Sequence, residues 1–303
     1  MGLLRNGALV ALGFCFGGTA LAAEAPAVAQ DQPQARAEAL LDHLPLKSGS
    51  ALVVDLDTGE TITAKNADAV QPIASLTKLM TALVVLDANQ PRDEILEITS
   101  DDIDREKRTP SRLKIGTKLS REDLLVLALM ASENRAALTL SRNYPGGRIA
   151  FIRQMNARAK ALGMTHTHFA DPAGLLSRSV STANDLHRLL TAASGQPLIR
   201  DYSTRVQHTV RVVRNRKLTF HSSNRLVRRS SGWDIELQKT GFTNEAGRCL
   251  LMQANVSNRH LAMIFMDSFG KLSRYADASR VRRRLELEDR RHPRRLPLAK
   301  VAG

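Results

Sequence analysis

Two periods of apolar and polar residues run along this chain, and they predict strands near both ends with helices between them. Residues 51–64, "ALVVDLDTGETITA", hold two β-prone runs on either side of Asp57-Thr58-Gly59-Glu60, which reads as a hairpin. Residues 72–85, "PIASLTKLMTALVV", are apolar on most faces of a helix, yet Ser75 and Lys78 sit one turn apart near its start. A second apolar helical run covers residues 120–140, with Ser120 and Asp123 as its capping box. Further helices are predicted over residues 147–162 and 181–193. "WDIELQKT", "RCLLMQANVS" and "RHLAMIFMD" then give three short strands of an antiparallel meander, and a last helix spans residues 273–287. Strands at both ends can be covered only if the two ends of the chain meet in one sheet. There is no internal repeat and no central linker.

The flanks read differently. Residues 1–23 have the layout of an export signal: Arg5, an apolar run from Ala8 to Phe16, and Ala20-Leu21-Ala22 as a small-residue cleavage site. The apolar run is far short of the roughly 20 residues that cross a bilayer, so cleavage near Ala22 or Ala23 into the periplasm is expected. Cys15 would suit a lipid-attachment signal, but the bulky Phe14 stands where such signals need a small residue. Residues 24–36 are rich in Ala, Pro and Gln without periodicity and read as a flexible leader. Residues 37–287 are the expected catalytic domain and residues 288–303 a basic, proline-broken tail.

Composition narrows the class of protein. A formal charge of +14 fits a nucleic-acid protein, but an exported chain rarely meets nucleic acid. An anionic membrane surface or cell-wall polymer is the expected counter-ion, against the plainer reading of a basic surface kept for solubility. Once Cys15 leaves with the signal, Cys249 has no partner for an internal disulfide and reads as a buried small hydrophobe. No metal site or cofactor is expected. The eight histidines are scattered, and His166 and His168 lack nearby carboxylates or thiols to complete a ligand set.

The chemistry begins at Ser75 and Lys78. A serine hydroxyl is a weak nucleophile until a neighbouring base takes its proton, and a lysine can be that base if burial makes its neutral amine accessible. Residues three apart share a helix face, and Leu76, Leu79, Met80 and Leu83 supply the burial. Taken alone, the pair also fits a helix cap and a snorkelling lysine. The same spacing recurs at Ser111/Lys114 and at Ser268/Lys271.

Two further motifs follow in order, Ser132-Glu133-Asn134 and Lys239-Thr240-Gly241. Together with Ser-x-x-Lys they make the signature of penicillin-binding proteins and class A β-lactamases. Decoys exist at Ser141/Asn143, Ser222/Asn224 and Lys47/Gly49, and context separates them. Ser132 ends an apolar helical run, where a polar turn can project into a cleft. Gly241 follows a β-run, so the backbone there can approach a ligand.

On these motifs, with "STANDL" at residues 181–186 and "GWDIELQKTGFTNEAGRCL" at residues 232–250, the chain resembles the serine D-alanyl-D-alanine peptidases of peptidase family S11. These are low-molecular-mass penicillin-binding proteins, and the likeness is to their endopeptidase type, penicillin-binding protein 7. The resemblance implies an α/β fold of the β-lactamase and transpeptidase-like architecture: a five-stranded antiparallel sheet flanked by helices, plus an all-helical subdomain. It implies Ser75 as nucleophile, Lys78 as its base, Ser132 as proton relay and Asn134 on the substrate amide. It further implies Lys239 and Thr240 on the substrate carboxylate beside Gly241, Arg274 as a further carboxylate ligand, and the N–H groups of Ser75 and Phe242 as the oxyanion hole. Arg274 reads equally well as a solvated arginine at a helix start.

Glu133 replaces the Asp or Gly at the centre of the second motif and is expected to point away from the cleft. No glutamate lies between Glu133 and Glu236, where a class A β-lactamase needs one to activate the deacylating water. A β-lactam is therefore expected to acylate Ser75 and stay there. Peptidoglycan peptide is the implied substrate, with cross-link cleavage placed before removal of terminal D-alanine. A non-catalytic wall-binding protein on the same fold is the alternative of another class.

Overall fold

A computed structural model of the chain describes residues 44–212, 216–228 and 232–291. The signal (1–23), the leader (24–36) and the tail from His292 onward lie outside the described residues.

The run "SGSALVVD" forms β1 (Ser48–Asp55), and β2 (Thr61–Lys65) returns beside it. The predicted turn closes through Gly59, whose N–H donates to Asp55 O and whose φ of 76° suits a glycine. Two short pairings follow. β3 (Gln71–Pro72) meets β6 (Val180–Ser181), and β4 (Ile95–Glu97) meets β5 (Lys118–Ser120). A hairpin of β7 (Gln207–Arg211) and β8 (Lys217–His221) was not read from the sequence. β9 (Asp234–Thr243), β10 (Gly247–Val256) and β11 (Arg259–Ser268) form the predicted meander.

The two ends of the chain meet as expected. The main sheet has five strands in the order β2-β1-β11-β10-β9, antiparallel throughout, with β1 paired to β11 from Ser48↔Ser268 to Asp55↔Leu261. Alternation along β1 sends Leu52 and Val54 into one core and Ala51 and Val53 into another. A sheet covered on both faces needs apolar residues on both, which is why β1 reads as a continuous apolar run rather than an alternating one.

The helices are α1 (Lys78–Asp87), α2 (Arg121–Met130), α3 (Asn134–Arg142), α4 (Gly147–Ala161), α5 (Ala183–Ser194), α6 (Pro197–Thr204), the short α7 (Arg225–Arg228) and α8 (Ser273–Arg291). α1 is buried from Lys78 to Val85, as its all-round apolar surface requires. α8 lays Tyr275, Ala278, Val281 and Leu285 on the outer face of the sheet and runs four residues past the predicted end at 287, to Arg291. α5 begins after Thr182, whose hydroxyl accepts from Asp185 N at 3.0 Å, two residues later than predicted.

Two local departures matter. The helix predicted to open at Ser75 starts with a tighter 3-10 turn, Ala74–Thr77, and becomes α-helical only at Lys78. The apolar run over 120–140 is two helices, broken where Ser132 takes a left-handed φ of 60° and Glu133 caps α3.

One buried carboxylate ties the last helix to the first strand. Asp277 accepts from Lys47 N, Ser48 N and Ser48 Oγ at 3.1, 2.8 and 2.6 Å and pairs with Arg280. Asp277→Ala leaves buried donors unpaired and is expected to lower unfolding stability by about 3 kcal/mol, read from urea unfolding. A loss below about 0.5 kcal/mol would remove this tie from the account.

Candidate active site

Ser75 and Lys78 are three apart on a 3-10 turn, in which residues i and i+3 eclipse. Lys78 Nζ consequently reaches Ser75 Oγ at 2.8 Å. The amine makes two more hydrogen bonds, to Asn134 Oδ1 at 2.6 Å and to Ala173 O at 2.8 Å. A neutral amine has two hydrogens and one lone pair. Two fixed carbonyls take both hydrogens, and the lone pair is left on the serine hydroxyl.

Burial sets the charge state. Lys78 is fully buried, and desolvation lowers its pKa from 10.5 to about 8, against the opposing charges of Asp171, Glu133 and Asp104. Glu133 turns its carboxylate to its own helix, with Oε1 accepting from Arg135 N at 3.2 Å, and burial raises its pKa.

The loop carrying Ala173 was not assigned a role from the sequence. Asp171 organises it: Oδ1 accepts from the N–H groups of Ala173, Gly174 and Leu175, and Oδ2 from Leu176 N and Ser179 Oγ. Gly174 has a φ of 74°, and a Cβ there would fall 1.8 Å from Ala74 O, so only glycine lets the loop seat beneath the turn of Ser75. "DPAG" is legible as a turn, but not as one that reaches Ser75.

The second and third motifs meet across the cleft. Lys239 Nζ donates to Ser132 Oγ at 2.8 Å and to Thr240 O at 2.8 Å. Gly241 runs against the turn of Ser75: a Cβ there would lie 3.2 Å from Ser75 N. The N–H groups of Ser75 and of the next residue, Phe242, thus belong to adjoining backbone. Phe242 itself is half exposed under the Arg248 guanidinium, 4.2 Å from its ring centre. Thr240 Oγ1 bonds Ser223 Oγ at 2.7 Å, which brings into the cleft a residue that lies inside a decoy motif. Two of the other decoys are elsewhere: Ser141 Oγ bonds Leu138 O within α3, and Ser268 Oγ bonds Ser48.

The resemblance puts Lys239 on the substrate carboxylate. It is fully buried, and desolvation together with the charges of Lys78 and Arg274 pushes it well below its ordinary value, toward the neutral amine. Arg274 is the standing positive charge at this end. It is 6% exposed rather than solvated, stacks on Tyr275 and leaves Nε and Nη1 without partners. Buried, unpaired guanidinium hydrogens suit a planar anion such as a carboxylate.

Comparison with known proteins agrees with this geometry. The Peptidase_S11 family, described as D-alanyl-D-alanine carboxypeptidase, matches residues 34–270. The chain is 48% identical over 242 residues to the D-alanyl-D-alanine endopeptidase of Pseudomonas aeruginosa, covering 80% of this chain and 78% of that protein. It is 48% identical over 243 residues to the Escherichia coli protein of the same name, with the same shares covered. Among solved structures, the Streptomyces K15 DD-transpeptidase superposes with a TM-score of 0.74 at 27% identity, over 80% of this chain and 98% of the other. Penicillin-binding protein D2 of Listeria monocytogenes in its cefotaxime-bound form gives 0.69 at 31%, over 80% and 98%.

In lysine-labelled protein followed by NMR, the Lys78 amine is expected to titrate at about pH 8, and Asp171→Asn, which removes a favourable charge, to move that midpoint lower. A midpoint at the ordinary 10.5 would show the amine to be hydrated.

Proposed function

This chain belongs to the Peptidase_S11 family of serine D-alanyl-D-alanine peptidases, and from that membership we propose that it is an endopeptidase cleaving D-alanyl cross-links in peptidoglycan. The observation that carries the mechanism is the buried Lys78 amine 2.8 Å from Ser75 Oγ. The neutral amine takes the hydroxyl proton as Ser75 Oγ attacks the carbonyl carbon of the D-alanyl bond. The N–H groups of Ser75 and Phe242 stabilise the oxyanion. Ser132, bonded to Lys239, gives its proton to the leaving amine and regains one from the protonated Lys78, and the C–N bond breaks to give an acyl-enzyme that water then hydrolyses. Asn134 holds the substrate amide, while Thr240 and Arg274 receive the carboxylate, whose charge also favours protonation of Lys239.

The preference for cross-links over terminal D-alanine rests on the names of the two relatives at 48% identity. β-Lactams enter the same cleft, in keeping with the cefotaxime-bound relative. With no glutamate between Glu133 and Glu236 to activate water, the penicilloyl ester persists.

The export signal assigns the protein to the periplasm, where its wall substrate is, and gives it a role in wall biogenesis and cell shape. The basic surface supports contact with anionic wall polymer or membrane. On the exposed face of the β7–β8 hairpin, Arg211 stands directly opposite Lys217 with no acidic partner among the described residues. A like-charged cross-strand pair disfavours the hairpin and suits an anionic neighbour.

Fluorescent penicillin is expected to label the wild type and not Ser75→Ala, and labelling of neither would end the mechanism. Lys78→Arg keeps the charge without an accessible neutral form, so acylation should fall by roughly 10²–10⁴-fold with the melting temperature held. Near-normal acylation would point to another base. Purified peptidoglycan digested with the wild type should yield monomeric muropeptides from cross-linked dimers. Release of D-alanine alone would make the protein a carboxypeptidase, and an undigested polymer that still retains the protein would favour a wall-binding role.

A further inference from the structure

Asn134 presents its carbonyl to Lys78, and something must hold it that way round. An ammonium would select the carbonyl unaided. The neutral amine, which is the reactive form, would accept a hydrogen from the Asn134 NH₂ group just as well. A flipped amide would then occupy the lone pair meant for Ser75.

The groups behind Asn134 decide the matter. Asn134 Nδ2 donates to Thr109 Oγ1 at 2.9 Å. Thr109 Oγ1 in turn donates to Asp104 Oδ2 at 2.7 Å, and Thr109 N donates to the same oxygen at 3.0 Å. Asp104 Oδ1 accepts from the N–H groups of Glu106 and Lys107 at 3.0 and 2.9 Å. Burial works against ionisation of Asp104, but these hydrogen bonds prevail and hold its pKa below the ordinary value. An ionised carboxylate only accepts, so the single Thr109 hydroxyl hydrogen is spent on Asp104. What Thr109 offers Asn134 is lone pairs, and an amide nitrogen is the end that fits. The flipped amide would set a carbonyl oxygen against those lone pairs.

We propose that Thr109, with its hydroxyl hydrogen fixed by Asp104, is a positioning residue that locks Asn134 carbonyl-first toward Lys78 and so keeps the amine's lone pair on Ser75. The proposal rests on the reading of Lys78 as the base for Ser75. It also leaves the second Asn134 amide hydrogen free for the substrate carbonyl. Three carboxylates bear on Lys78, those of Asp171, Glu133 and Asp104, and its charge is felt by Lys239 across the cleft. Asp104 therefore acts twice, through the hydrogen-bond chain and through its charge.

The test is the β-lactam acylation rate constant against pH, with the dissociation constant of the preceding complex measured alongside. Thr109→Val should lower the high-pH plateau roughly ten- to a hundredfold and, because the flipped amide binds only the neutral amine, move the midpoint to lower pH by about one to two units. Thr109→Ser, which keeps the hydroxyl, should stay within about threefold of the wild type. Asp104→Asn should likewise move the midpoint to lower pH, because a charge favouring the ammonium is gone. In an Asn134→Ala background Thr109→Val should add no further loss, since it acts through that amide.

Wild-type plateau rates in a folded Thr109→Val protein would overturn the proposal. So would a serine variant as slow as the valine one, or an undiminished valine effect in the Asn134→Ala background. Should the valine variant fail to fold, Thr109→Ala takes its place with the same expectations. A wild type that is not acylated at all would instead overturn the base–nucleophile reading on which the proposal rests.

Discussion

The amine of Lys78, taken wholly out of water and hydrogen-bonded on three sides, is the constraint on which the rest of this protein depends. Lowering its pKa from 10.5 to about 8 corresponds to roughly 3 kcal/mol withdrawn from the stability of the folded chain when the amine is protonated. The sign follows from the direction of the shift. The folded value lies below the unfolded one, so the cost is felt in full below about pH 8 and fades as pH rises toward 10.5. Near neutrality the protein carries this cost continuously. Asp171, Glu133 and Asp104 keep it from being larger.

Holding such a group in place requires backbone in uncommon conformations on every side. Ala74, immediately before Ser75, has a φ of 46°, and Ser132 has a φ of 60°. Each costs of order 1–3 kcal/mol and persists only because its surroundings leave no alternative. Those surroundings are visible: Gly174 seats against Ala74 O, and Gly241 against Ser75 N, with no space for a Cβ at the first and little at the second. The sheet, the loop from Asp171 and the turn of Ser75 are thereby clamped together. Strain at Ala74 and Ser132 aims two hydroxyls into one cleft.

The other half of the cleft follows the same logic with a different outcome. Lys239 is as buried as Lys78, and the charges of Lys78 and Arg274 act with desolvation rather than against it, which pushes it toward its neutral form. A guanidinium cannot yield its proton, and Arg274 remains charged with two nitrogens unpaired. An incoming carboxylate would relieve both at once, pairing with Arg274 and making a charged Lys239 affordable. On the proposed mechanism, substrate recognition and proton supply would be coupled through that one anion.

Much of this was legible in the sequence, and what was legible was local. The continuous apolar run of β1, the three strands of the meander and the helix over residues 147–162 follow from the identity and spacing of neighbouring side chains. So do the three motifs, whose residue types and order name the chemistry. Legibility stopped where a property depended on residues distant in the chain. The β7–β8 hairpin was missed because its polar face is long and its apolar face rests on a few residues, Val210, Leu218 and Phe220, that need a core to cover them. Arg274 stayed ambiguous because burial cannot be read from a helix start. The direction of the Lys78 hydrogens depends on Ala173, 95 residues away, and on Asn134, 56 residues away, and Asn134 in turn is bonded to Thr109, 25 residues from it. Sequence by itself determined which groups the protein would use. Only the tertiary structure decided their charge and polarity, because desolvation and hydrogen-bond direction belong to what surrounds a side chain in space.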